Sequence, residues 1–140
     1  MKILAAVDGS PYTKRMLAYV AAHDDWLGAH HQYTLLHVVH AVPSRIAAQL
    51  DKAALLAYYG EAAEKVFKPL RTFFARQGLQ ADFVAKVGPS APVIAEVARK
   101  GGYDMLMLGS HGHGTLSNLV MGSVATQVLA ACDTPALIIR

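Results

Sequence analysis

Asp104-Met-Leu-Met-Leu-Gly109-Ser-His-Gly-His-Gly-Thr-Leu-Ser-Asn-Leu-Val-Met-Gly-Ser123 decides how this chain is read. A short apolar run, Asp104 to Leu108, leads into a glycine-rich loop, and Ser123 to Ala131 then reads as a helix. Strand, glycine loop and helix start, in that order, form the phosphate seat of a parallel α/β sheet. Glycine supplies positive φ where needed and lets main-chain N–H groups approach an anion with no Cβ in the way. The following helix adds unpaired N–H donors and a dipole end worth roughly half a positive charge. A phosphorylated ligand held mainly by main chain is the first expectation.

The remaining sequence supplies the rest of such a sheet. Apolar segments at Lys2–Val7, Tyr33–Val39, Ala81–Val87, Asp104–Gly109 and Pro135–Arg140 alternate with helical patterns at Pro11–Leu27, Ser44–Gln77, Ser90–Lys100 and Ser123–Ala131. That alternation predicts βαβ units, hence a parallel sheet with helices on both faces. Ser10 with Pro11 behind it suits a helix start and Gly28 a helix end; Ser90, with Pro92 in the next turn and Gly101 beyond, repeats the pattern. Pro69 falls inside the long second helical segment and predicts a kink or break there.

At 140 residues, 54% hydrophobic and 16% charged, the chain reads as one compact domain over residues 1–140 and not as a disordered one. Its net charge of +3 comes from scattered cations, which does not describe a nucleic-acid-binding arm. The N-terminal apolar run is too short for a signal peptide, and no stretch approaches the ~20 apolar residues of a membrane span. With a single cysteine, Cys132, no internal disulfide is possible; a cytoplasmic protein with no membrane partner is expected. Cys132 itself reads as a small core filler.

Strand composition hints at position. The first, second and fourth strands are nearly continuous apolar runs, as buried central strands are. Asp82 and Lys86 mark the third as an edge. The last strand is apolar on both faces and ends the chain; at the opposite edge it would need cover, which predicts a homodimer through Ala136–Ile139. His30, His31, His37 and His40 crowd the second strand, but His37 and His40 point to opposite faces and no Cys or Glu completes a zinc set.

The glycines have a definite spacing: Gly109, two residues, Gly112, nine residues, Gly122, then Ser123. This resembles the nucleotide signature of ATP-binding universal stress proteins. Ile3-Leu-Ala-Ala-Val-Asp8-Gly-Ser10, Leu36-His-Val-Val39 and Asp133-Thr-Pro-Ala-Leu-Ile-Ile-Arg140 are similar to the family's first, second and closing strands, so the resemblance spans the whole chain. It implies a Rossmann-like, open five-stranded parallel sheet of order 3-2-1-4-5. It implies an ATP site in which Asp8 lies near the phosphates and their Mg2+, and main chain at Val39 meets adenine. Gly109, Gly112, Gly122 and Ser123 would hold ribose and phosphates with His111 on the phosphate side, and Leu108 and Val124 would complete the nucleotide-binding set. Ala125 departs from the pattern, since binding members often carry a hydroxyl there. With this strand order the crevice opens between the first and fourth strands, which Asp8 and Gly109 terminate, so the two should face each other.

The function implied is a cytoplasmic ATP-binding stress-response sensor or regulator with slow or no hydrolysis. There is no Gly-x4-Gly-Lys-Ser/Thr loop, and no side chain is placed to activate water. Two alternatives differ in class. One is a dimeric interaction protein that never holds nucleotide; the other is an adenylating enzyme, whose Ser-Gly-Gly-x-Asp-Ser motif is absent.

Overall fold

The computed structural model describes residues 1–114 and 118–140. Five parallel strands run in the order β3-β2-β1-β4-β5. They are β1 (Lys2–Ala6), β2 (Gln32–Val39), β3 (Ala81–Val87), β4 (Met105–Gly109) and β5 (Ala136–Ile139). The helices are α1 (Pro11–Ala22), α2 (Asp24–Leu27), α3 (Ser44–Ala47), α4 (Lys52–Arg76), α5 (Ser90–Lys100) and α6 (Ser123–Ala131).

Strand periodicity divides the core into two layers. Ile3, Ala5, Tyr33, Leu35 and Met107 face α1 and α4, where Met16, Val20, Phe67, Leu70 and Phe74 cover them. Leu4, Leu36, Leu106 and Leu108 point the other way, onto Ile94 and Ala95 of α5 and Val128 of α6. Each large aliphatic side chain so buried contributes about 1.5–3 kcal/mol. The three inner strands carry the near-continuous apolar runs, and β3, with exposed Asp82 and Lys86, is an edge. Cys132 is buried in the second layer.

Four local expectations fail, each for an identifiable reason. The first helix divides at His23, whose ring Nδ1 meets the Tyr19 carbonyl at 2.8 Å while its N–H turns to Val20. A side chain that takes the i−4 carbonyl competes with the helix ladder and ends it. The second helical segment divides at residues 48–51, where the Asp51 carboxylate accepts the Ala54 N–H at 2.6 Å and starts α4. It does not break at Pro69, which lies inside α4 on an exposed face, so the freed Lys65 carbonyl can be hydrated. Ser90 is the first residue of α5 and makes no cap, Pro89 holding that position, although Gly101 does follow the last helical residue as expected, with Gly102 (φ +64°) beyond it in the left-handed region.

Among the described residues, no helix is long and apolar enough to cross a membrane.

Candidate functional site

β1 and β4 are neighbours whose following chains leave toward opposite faces, α1 on one and α6 on the other. The crevice this opens at their carboxyl ends is a cavity of about 580 Å³. Asp8, Val39, Leu108, Gly109, His111, Gly112, Gly122, Ser123 and Val124 all line it. Asp8 and His113, 105 positions apart in sequence, therefore meet at this crevice, as the strand order requires.

The turn after β1 is built around Asp8. Its Oδ1 accepts the Ser10 N–H at 2.9 Å and the Thr13 hydroxyl at 3.1 Å, and the same hydroxyl receives the N–H groups of Asp8 and Gly9. Ser10 occupies the cap position of α1, yet its hydroxyl makes no capping bond; the Asp8 carboxylate instead closes the preceding turn by accepting the Ser10 N–H. The Ser10 Oγ is fully buried and has no partner among the described residues. Asp8 Oδ2 is turned toward Gly112: a Cβ there would stand 2.6 Å from it. Asp8 thus faces Gly112, not Gly109, whose missing Cβ makes room for Tyr12 (2.8 Å) instead.

The loop glycines serve proximity and not unusual backbone. Positive φ occurs at Gly9, Gly78, Gly88 and Gly102, and at none of Gly109, Gly112, Gly114 and Gly122. Gly122 caps α6 with its N–H bonded to the Ser110 carbonyl at 2.6 Å, and a Cβ would lie 3.1 Å from that oxygen. Behind it, the first-turn N–H groups of Ser123, Val124 and Ala125 are left to the cavity, because the helix ladder begins only with Thr126 on Gly122. Ala125 is buried at 3% exposure, so this wall offers amides and no hydroxyl at that point.

The histidines hold the loops in place. His111 donates from Nε2 to the Leu119 carbonyl (2.8 Å) and accepts the Ser110 hydroxyl at Nδ1 (3.0 Å), so both ring nitrogens are engaged within its own loop. Its ring also packs on Tyr12. His113 reaches across the crevice and donates to the Asp8 carbonyl at 2.7 Å, tying the β4 loop to the β1 turn. His37 steadies the same turn from β2 through the Val7 carbonyl at 2.7 Å.

At the far end of the crevice the main chain assigns the polar groups differently from the sequence expectation. The Val39 carbonyl is bonded to the Gly88 N–H at 3.0 Å, toward β3, whereas the Leu36 carbonyl accepts Val7 on the β1 side. Alternate residues of a strand direct their N–H and C=O to opposite neighbours. Val38 therefore turns its main-chain groups toward β1, which has already ended, and so into the crevice, while Val39 does not. Sequence reasoning also missed His113 as a crosslink, the Thr13 hydroxyl and the buried Ser10; parity along β2 was the one signal that could have found Val38.

The sequence profile of the universal stress protein family matches residues 1–140. The chain belongs to that family. Universal stress protein A homolog 2 of Coxiella burnetii is 32% identical over 145 residues, covering 99% of this chain and 95% of that one. A universal stress protein of Thermus aquaticus is 30% identical over 139 residues, covering 99% and 97%. Universal stress protein UspA from Lactobacillus plantarum shares the fold with a TM-score of 0.80 at 19% identity, over 100% of this chain and 97% of that chain. A family member from Arabidopsis thaliana, solved with AMP bound, has a TM-score of 0.68 at 18% identity, covering 99% and 90%. The Archaeoglobus fulgidus protein in complex with dAMP has a TM-score of 0.68 at 17% identity, covering 100% and 98%.

Proposed function

We propose that this universal stress protein is a nucleotide-binding regulatory module, one domain spanning residues 1–140, that takes ATP with Mg2+ in the crevice between β1 and β4. One observation carries the reading. All nine residues expected from the sequence to bind nucleotide line a single open cavity, as does the first turn of α6, whose N–H groups precede the helix ladder. Structural neighbours solved with AMP and dAMP make an adenine nucleotide the ligand of choice. In this reading adenine lies against the main chain of Val38, ribose and first phosphate lie between Gly109, Gly112 and Gly122, and the phosphate meets Ser123 and Val124.

Magnesium fits the residues present. Asp8 has one carboxylate oxygen committed to the turn and the other facing Gly112 and the cavity, and Mg2+ commonly takes one or two protein carboxylates plus nucleotide phosphates. Bound there, the ion would neutralise phosphate charge. No lysine or arginine among the described residues lines this cavity, and no side chain is set to activate water, so hydrolysis is slow, below the ~1 per second of ordinary kinases. The module acts in the cytoplasm as a homodimer through the free edge of β5, Ala136–Ile139.

The self-contained loop favours one other reading, an interaction protein that never binds nucleotide: His111 already spends both ring nitrogens, and Gly122 its N–H, on the loop itself. Thermal unfolding with saturating Mg-ATP, ADP and AMP separates the two. Ligand at a hundred times its dissociation constant adds about 2.7 kcal/mol, or about 8 °C for a chain of this length. No rise with any of the three rejects the nucleotide-binding module.

A further inference from the structure

The main cavity has a neighbour. A second cavity of about 450 Å³ lies against α4, and the two share Asp8, Tyr58 and His113 as a common wall. That wall includes the His113–Asp8 contact, a single exposed hydrogen bond between two loops. Beyond it the floor is the exposed face of α4, with Glu61 and Lys65 one turn apart.

The charges on the two sides differ in a way that bears on a polyphosphate. Within the main cavity the described lining holds no lysine or arginine, and the amides of α6 supply only about half a positive charge. Even with Mg2+ at Asp8, this leaves the charge of a triphosphate tail only partly balanced. Among the described residues, Lys65 is the lysine or arginine that lines the adjoining cavity. It takes part in neither ion pair found among the described residues: Glu64, its sequence neighbour, is bound by Arg71, and Glu96 by Lys100. Glu61 sits on the same floor, so without Lys65 the groove would present only the carboxylates of Asp8 and Glu61.

We propose that the tail of a bound nucleoside triphosphate crosses the His113–Asp8 contact and ends on Lys65, which makes Lys65 the residue that selects triphosphate over monophosphate. The first phosphate stays on α6; the outer phosphates pass Asp8, where Mg2+ fits, and reach the ammonium group on α4. The inference rests on the nucleotide-binding reading and adds the path of the tail to it.

Isothermal titration calorimetry with Mg-ATP and with AMP, on the intact chain, tests it. Lys65→Ala should weaken Mg-ATP binding about tenfold, the effect of one close charge at a partly screened surface, and leave AMP within about twofold. Lys65→Arg should retain the preference for Mg-ATP, and Lys68→Ala, which removes an exposed cation of α4 outside the groove, should change neither affinity. An unchanged Mg-ATP affinity in Lys65→Ala, with AMP still bound, overturns the path while leaving the nucleotide site standing. An equal loss for both ligands, or an equal effect from Lys68→Ala, also overturns it. A wild-type chain that binds neither ligand removes both the path and the site.

Discussion

Replacing Gly112 by alanine isolates the contact on which the site is built. The backbone at Gly112 lies outside the left-handed region, so alanine brings no conformational strain there. Its Cβ would instead stand 2.6 Å from Asp8 Oδ2, about 0.8 Å inside the 3.4 Å at which ordinary van der Waals contact begins. The carboxylate cannot simply swing aside, because Oδ1 is held by the Ser10 N–H and the Thr13 hydroxyl. Hydrogen bonds to a charged group are worth about 1.5–3 kcal/mol each, and water recovers part of that at this half-buried carboxylate. Gly112→Ala should therefore destabilise the chain by about 1–3 kcal/mol, lowering Tm by about 3–10 °C at this chain length.

A double-mutant cycle makes the cause explicit. In an Asp8→Ala background there is no carboxylate to displace, so adding Gly112→Ala should cost less than about 0.5 kcal/mol, and the coupling between the two positions should exceed about 0.5 kcal/mol. Urea unfolding followed by circular dichroism reads all four proteins. Equal cost of Gly112→Ala in both backgrounds would refute the reasoning, since the clash with Asp8 would then not be what demands glycine.

Two further outcomes are expected from other parts of the chain. Burial pushes the Tyr33 hydroxyl up to about 12 from an ordinary value of 10, while its O–H donates to the Leu27 carbonyl. The unfolded chain releases this proton first as pH rises, so Tyr33 contributes its full stability below pH 10 and loses it between pH 10 and about 12. Tyr33→Phe should be less stable at pH 7 by about 1 kcal/mol and show a shallower alkaline decline; equal slopes in urea titrations at pH 9 and 11 would count against the assignment. At the sheet edge, Pro135 and Ile139 direct their carbonyls to β4, so Ala136 and Ile138 turn their main-chain groups outward. Light scattering should show a dimer at micromolar concentration, and Ala136→Pro, which removes an outward N–H the isolated chain does not use, should shift it toward monomer; a wild-type monomer would remove the β5 interface.

What the sequence revealed and what it hid separate along a physical line. Periodicity and turn chemistry report which groups must be buried and where the chain must reverse, and these were enough for five strands and their edge and central character; the full strand order and the nine residues lining the crevice came from the resemblance to the universal stress proteins. They do not report which partner a polar group finds. Asp8 reads equally well as a ligand for magnesium and as the cap of a turn; in the structure one oxygen caps the turn and the other faces the crevice. Ser10 has the composition of a cap and sits at the cap position, yet its hydroxyl is buried and unpaired among the described residues, while the Asp8 carboxylate accepts the Ser10 N–H and closes the turn before the helix.

The same distinction applies at Val39, which lines the cavity as expected but turns its main-chain carbonyl to β3. Side-chain patterning marks both Val38 and Val39 as buried, one on each face of the sheet, and gives no reason to choose between them. The choice belongs to the main chain, and it follows from where the neighbouring strand stops: β1 ends at Ala6, Val7 makes the last bond to Leu36, and the next even-numbered residue of β2 has no strand beside it. A site at a strand-order reversal is made of such abandoned ladder positions together with the amides of a helix start. Its polar groups lose their ladder partners to the topology, and in the nucleotide-binding reading proposed above this is what would let a ligand that supplies both acceptors and donors, as an adenine nucleotide does, suit the crevice better than a simple anion.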